Sequence, residues 1–146
     1  MAFVRIVVGV DDTDAGERAV RRAIEYAHRL DAELDVVFVS HVPATVLAAM
    51  GGVPTISDDF SNAQKAAVWE RIAPIIQGTG AHRIDLEGYP PDRLIDHAVS
   101  TDADLIVLGS RGRGDLASLL LGSTSHRVAN HAPCDVLVVR GEKGMT

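Results

Sequence analysis

Apolar and polar residues fall along this chain in blocks whose period keeps changing, and each change marks an element. Phe3 to Val10 is apolar almost throughout and predicts a first strand, which ends in Asp11-Asp12-Thr13-Asp14. Asp14 followed by Glu17 has capping-box spacing, so Asp14 is the expected start of a helix. Ala15, Ala19, Val20, Ala23, Ile24, Ala27 and Leu30 then recur at three- and four-residue steps, one stripe of an amphipathic helix. Leu34 to Val42 reads as a second strand. Pro43 to about Ser57, with Gly51-Gly52 and two prolines, reads as a mobile loop or a frayed short helix, and the irregularity extends to about Asn62. A helix is expected from about Asp58 to Gln77, kinked or ended by Pro74. Arg83 to Gly88 alternates as a third strand, with Ile84 and Leu86 on one face. Pro90-Pro91 opens a helix whose inner face is Leu94, Ile95, Ala98 and Val99. Asp104 to Leu108 is the clearest buried strand, and Ser123–His131 and Val136–Val139 complete the pattern as a helix and a strand.

Strand and helix therefore alternate from end to end. That order predicts one α/β domain over residues 1–146, with a short tail at 141–146: a single open parallel sheet with helices on both faces, joined by right-handed crossovers. Composition supports this. The chain is 47% hydrophobic but only 4% aromatic, so its core must be built from Val, Ile, Leu and Ala. Such residues suit the buried strands of a parallel sheet.

A net charge of −6 argues against nucleic acid as a partner, because displacing counterions from phosphates needs a basic footprint. No apolar run reaches the roughly 18 residues that cross a bilayer, and the N-terminus reads as a strand and not as a signal peptide. The expected setting is the cytoplasm, without membrane contact. The single Cys134 makes no internal disulfide and no two-cysteine motif, and is expected to be a small buried residue. The six histidines show no zinc-like spacing, and no metal site is expected from them. The last strand, Cys134 to Arg140, would form a sheet edge apolar on both faces. Pairing with the same strand of a second subunit would cover it, which predicts a homodimer.

The chemistry is concentrated in Gly109-Ser-Arg-Gly112-Arg-Gly114-Asp-Leu-Ala-Ser-Leu-Leu-Leu-Gly122-Ser123-Thr124, which runs from the end of the clearest strand into the last helix. In open α/β sheets ligands bind beyond the carboxyl ends of strands, where the strand order reverses. Glycines there let backbone approach a phosphate. Ser123 and Thr124 stand at a helix start, where free N–H groups and the dipole favour an anion; Ser123 is also the expected N-cap. Arg111 and Arg113 are candidate phosphate clamps, with plain solvation as the alternative. The stretch is no Walker A loop, since Gly122 stands where a Lys is required, and VGVDDTDAGE after the first strand lacks the Rossmann fingerprint. Turn glycines on a domain that binds nothing are the plain alternative, and Asp11 as a strand-end cap is its counterpart.

The spacing Gly109-x2-Gly112-x9-Gly122-Ser123 resembles the ATP-binding signature of the universal stress proteins. VVGVDDT at the first strand end, SHVP after the second, DLIVLGSRG before the loop and HAPCDVLVVR near the C-terminus are similar to the same family. The resemblance implies a Rossmann-like, adenine nucleotide alpha-hydrolase-like fold of strand order 3-2-1-4-5, with nucleotide at the ends of strands 1 and 4. It implies that Asp11 meets the ribose, that the backbone of Val42 meets the adenine edge, and that Val10 flanks the base. Gly109, Gly112, Gly122, Ser123 and Thr124 would hold ribose and phosphates; Arg111 stays a candidate contact on its place in the loop. Mg2+ would be carried by the phosphates of ATP. Asp12 stands where the family often has Gly, adding negative charge at the mouth. The implied protein is a dimeric, nucleotide-dependent stress regulator or sensor; no general base, Walker-type Lys or carboxylate pair is apparent in the chain, so little or no hydrolysis is expected. Cyclic AMP as the ligand, a protein-interaction module that binds no nucleotide, and a slow ATPase using Asp12, Arg111, Arg113 or His126 are the alternatives.

Overall fold

The computed structural model describes residues 4–42, 44–49, 51, 54–110 and 121–141, with the side chains of 54–57 outside that description. Ten elements follow in order: β1 (Arg5–Val10), α1 (Asp14–Leu30), β2 (Glu33–Ser40), α2 (Ala44–Ala49), α3 (Pro54–Ile76), β3 (His82–Glu87), α4 (Pro90–Ser100), β4 (Leu105–Gly109), α5 (Ser123–His131) and β5 (Asp135–Val139). The strands form one five-stranded sheet of order β3-β2-β1-β4-β5, as expected. Every pair is parallel: Ile6 lies opposite Leu34 on one side and Leu105 on the other.

Alternation along the strands divides the core in two. Ile6 and Val8 of β1 point with Val36 and Phe38 of β2 toward α1 and α3, where Ala19, Ala23, Trp69 and Ile72 meet them. Val7, Val37 and Val39 point the other way, with Ile106 and Leu108, against Leu94 and Ala98 of α4 and Val128 of α5. Both faces of the central strands are therefore buried, which explains their nearly unbroken apolar runs. Each Val, Leu or Ile so buried contributes roughly 1.5–3 kcal/mol. No helix among the described residues is long and apolar enough to cross a membrane.

Several boundaries differ from the sequence reading, each for a local reason. The N-cap of α1 is Thr13 and not Asp14: its backbone is extended, and its hydroxyl accepts from Gly16 N at 3.2 Å. Asp14 becomes the first helical residue, where its charge suits the positive helix end. The region after β2 holds the short helix α2, and α3 begins at Pro54, four residues before the expected Asp58. Proline is well suited to a first helical position, because its missing N–H would be unpaired there. Pro74 stays inside α3, which runs on to Ile76, and Gln77 N still bonds Ala73 O at 3.1 Å. Val99 is 61% exposed and does not belong to the inner face of α4. Pro91, Leu94 and Ala98 form that face, and one residue beyond Ala98 the helix has turned about 100° away from it.

Candidate functional site

Beyond the carboxyl ends of β1 and β4 lies a cleft of about 600 Å³. It falls within the roughly 300–1,000 Å³ usual for small-molecule sites. In the order β3-β2-β1-β4-β5 this is the place where the connections reverse direction, so the two loops leaving β1 and β4 splay apart.

The first wall is the turn after β1. The Asp11 carboxylate folds back on its own chain: Oδ1 accepts from Thr13 N at 3.0 Å and also from the Thr13 hydroxyl. That hydroxyl in turn accepts from Gly16 N, so three residues brace one another. Gly16 is required here, since a Cβ would collide with the Asp11 carboxylate and lie 3.1 Å from the Asp11 backbone.

The second wall is the end of β4 and the start of α5. Gly109 is pressed against α1, where a Cβ would fall 2.7 Å from the Ala15 carbonyl oxygen. Gly122 N donates to Ser110 O at 2.7 Å and Ser110 N to Val139 O at 2.9 Å, which ties α5 to the ends of β4 and β5. Because Gly122 turns in this way and its own carbonyl accepts from His126 N, it becomes the N-cap of α5. Ser123, expected at the cap, is instead the first helical residue and exposed. Ser125 turns inward, its hydroxyl donating to Gly109 O at 2.7 Å. A glycine cap has no side chain to occupy the first N–H groups of α5, and Ser123, Thr124 and Ser125 line the cleft. Such a turn attracts anions.

The third wall is α3, which sequence reasoning did not assign to the site. Phe60, Gln64 and Val68, each one turn after the last, line the cleft. Gln64 clasps the chain leaving β2: its Oε1 accepts from His41 N at 3.3 Å and its Nε2 donates to His41 O at 3.2 Å. The His41 ring meets Tyr89 edge-on at 6.0 Å. Two turns on from Gln64, Arg71 reaches the loop after β1. It donates to Asp12 O at 2.9 Å, to Glu17 Oε2 at 2.9 and 3.2 Å, and to Asp14. Hydrogen bonds from Arg71 and then Arg21 hold the Glu17 carboxyl below its ordinary range. The acidic run after β1 thus has a guanidinium built against it.

The fold brings together Val10, Asp11, Gly109, Gly122, Ser123 and Thr124 around this one cleft. Val42 is not among the lining residues; His41, its neighbour, is. Arg111 and Gly112, with Arg113 and Gly114, lie outside the described residues. His126 is exposed on α5 and does not line the cleft. Cys134 is half-buried, and burial followed by the charges of Asp135 and Asp104 pushes its thiol pKa up. Among the described residues no group of three or more His, Cys, Asp or Glu is arranged to hold a metal ion.

An open parallel sheet with a cleft at its switch point, walled by close-packed glycines and a helix start, defines an α/β domain of the ligand-binding, doubly wound class. Within that class the chain belongs to the Universal stress protein family, whose sequence pattern matches residues 2–140. It is 33% identical over 144 residues to a universal stress protein of Methanocaldococcus jannaschii, covering 97% of this chain and 84% of that one. The universal stress protein UspA from Lactobacillus plantarum superposes with a TM-score of 0.82 at 27% identity, over 96% of this chain and 99% of that one. A universal stress protein solved in complex with cAMP superposes with a TM-score of 0.69 at 29% identity, over 95% of this chain and 98% of that one.

Proposed function

We propose that the cleft binds an adenine nucleotide, ATP with Mg2+ carried on its phosphates, and that the protein is a nucleotide-dependent stress regulator or sensor. The observation that carries this reading is the convergence of the Asp11 turn, the Gly109 strand end and the glycine-capped first turn of α5 on one cavity. Phosphates would take the N–H groups and hydroxyls of Ser123 and Thr124. The ribose would meet Asp11, and the base would lie in the apolar recess of Val10, Phe60 and Val68. Gly112 and Arg111 complete the phosphate cradle in this reading. The complex with cAMP formed by a protein 29% identical to this one supports an adenine ligand, and favours cyclic AMP as the second reading.

Turnover is proposed to be slow or absent. His126 stands outside the cleft, and the Arg71 guanidinium is engaged by Asp14, Glu17 and the Asp12 carbonyl. Dimerisation through β5 is part of the same proposal, supported by the position of that strand at the sheet edge.

The test is mass spectrometry of small molecules released when gently purified protein is denatured, followed by calorimetric titration with Mg-ATP and with cyclic AMP. ATP near stoichiometric with the chain, or saturable binding, is the expected result. Tighter binding of cyclic AMP than ATP would replace the first reading by the second, and binding of neither would leave a protein-interaction module.

A further inference from the structure

We infer that Gln64 is the residue that reads the base in this cleft, an inference that rests on the nucleotide reading above. A glutamine amide has two N–H donors and an oxygen with two acceptor positions. The peptide of His41 takes one of each, at 3.3 Å to Oε1 and 3.2 Å to Nε2. This double clasp fixes which way round the amide lies. Turned over, it would set donor against donor and acceptor against acceptor. One N–H and one acceptor position remain, on a side chain that lines the cleft.

Phe60 and Val68 stand one turn to either side of Gln64 on the same wall, so a flat ring between them lies against its amide edge. A glutamine free in solution loses rotamer freedom when it is ordered. Here His41 has already ordered it, so bonds to a ligand are not weakened by that cost. Adenine presents an amino donor beside a ring acceptor, and hypoxanthine presents a carbonyl acceptor beside a ring donor. The two spare positions point to opposite sides of the amide, so a base meets one of them: the spare N–H bonds the ring acceptor of adenine and opposes the ring N–H of hypoxanthine. The long helix after the irregular segment thereby supplies base specificity to a site whose phosphate end is built by β4 and α5.

The experiment compares binding of ATP, ITP and inorganic tripolyphosphate by the wild-type chain and by Gln64→Met and Gln64→Glu. The wild type is expected to prefer ATP. Methionine keeps the length without the amide, and should lower the ATP-to-ITP affinity ratio about tenfold or more, as loss of a buried polar contact does. Gln64→Glu keeps an acceptor but loses the donor, and should lower the ratio as well. Affinity for tripolyphosphate, which has no base, should change less than about twofold; loss of a mere tether between α3 and His41 would weaken all three ligands alike. An unchanged ATP-to-ITP ratio in both variants, or an equal loss for tripolyphosphate, overturns the role of Gln64 and leaves the nucleotide reading intact. Failure of the wild type to bind ATP and ITP at all overturns both.

Discussion

Arg71 of α3 donates to the main-chain carbonyl of Asp12 at 2.9 Å, joining a helix from the middle of the chain to the loop that leaves its first strand. The same guanidinium bonds Glu17 and Asp14 in the first turn of α1. Its planar fork suits this set of oxygens, which an ammonium group cannot span at once. Arg71→Ala is expected to lower stability by about 1–3 kcal/mol, the usual worth of hydrogen bonds to a charged group. Arg71→Lys should recover less than half of the loss. Urea unfolding of the three proteins checks both, and equal stability of the lysine variant and the wild type would refute the geometric argument.

Glu17 gives that contact a pH dependence. Its folded pKa lies below the ordinary 4.5, chiefly because Arg71 and then Arg21 bond the ionised form. A depressed carboxylate contributes stability above its unfolded pKa and loses it as pH falls through the folded one. The wild type should therefore lose stability between about pH 5 and pH 3 faster than Glu17→Gln, which has no proton to take up there. Parallel denaturation profiles of the two proteins over that window would contradict the assignment.

Gly109 tests how closely β4 and α1 approach. The atom that a Cβ would strike is a main-chain oxygen, Ala15 O at 2.7 Å, which cannot swing aside as a side chain can. Gly109→Ala is expected to destabilise by about 1–3 kcal/mol, the typical cost of overpacking. Its thermal midpoint should fall even without ligand, so the glycine has a structural duty independent of any phosphate. A midpoint unchanged from wild type would show that the strand end yields.

Much of the frame was legible because its signals are local. The apolar runs of β1 and β4, the stripe of α1 and the glycine at the end of β4 all lie within short windows. Their alternation implied a parallel sheet, and its strand order came from the family resemblance alone. What escaped were contacts between distant residues. Gln64 meets a residue 23 positions away and Arg71 one 59 positions away, and no period in the sequence records either. Caps failed for a subtler reason. Asp14 and Ser123 are good capping residues, but Thr13 and Gly122 already hold the extended backbone, and each helix starts one residue earlier than the chemistry of the side chain suggested. His41 joins the lining of the cleft because Gln64 grips its peptide from a helix distant in sequence.

Asp35 offers the clearest test of the opposite end of the sheet. It is 2% exposed in the middle of β2, and its two oxygens are held by Arg5 Nη1 and His97 Nε2, each at 2.9 Å. A buried carboxylate is tolerated only when its charge is matched and its oxygens are bonded, so the three side chains stand or fall together. Removing Asp35 would leave Arg5 and His97 without their shared partner, although the Arg5 side chain is 26% exposed and retains some water. Asp35→Ala is therefore expected to cost about 3 kcal/mol, the lower end of the range for breaking such a pair. His97→Ala should cost less, since Arg5 still compensates the acid. In the double variant the two losses should fall short of additivity by about 1 kcal/mol, because the second substitution removes a partner already lost. Chemical denaturation of the four proteins measures that coupling. Strict additivity would mean that the bond between Asp35 and His97 contributes nothing beyond the packing of each side chain alone.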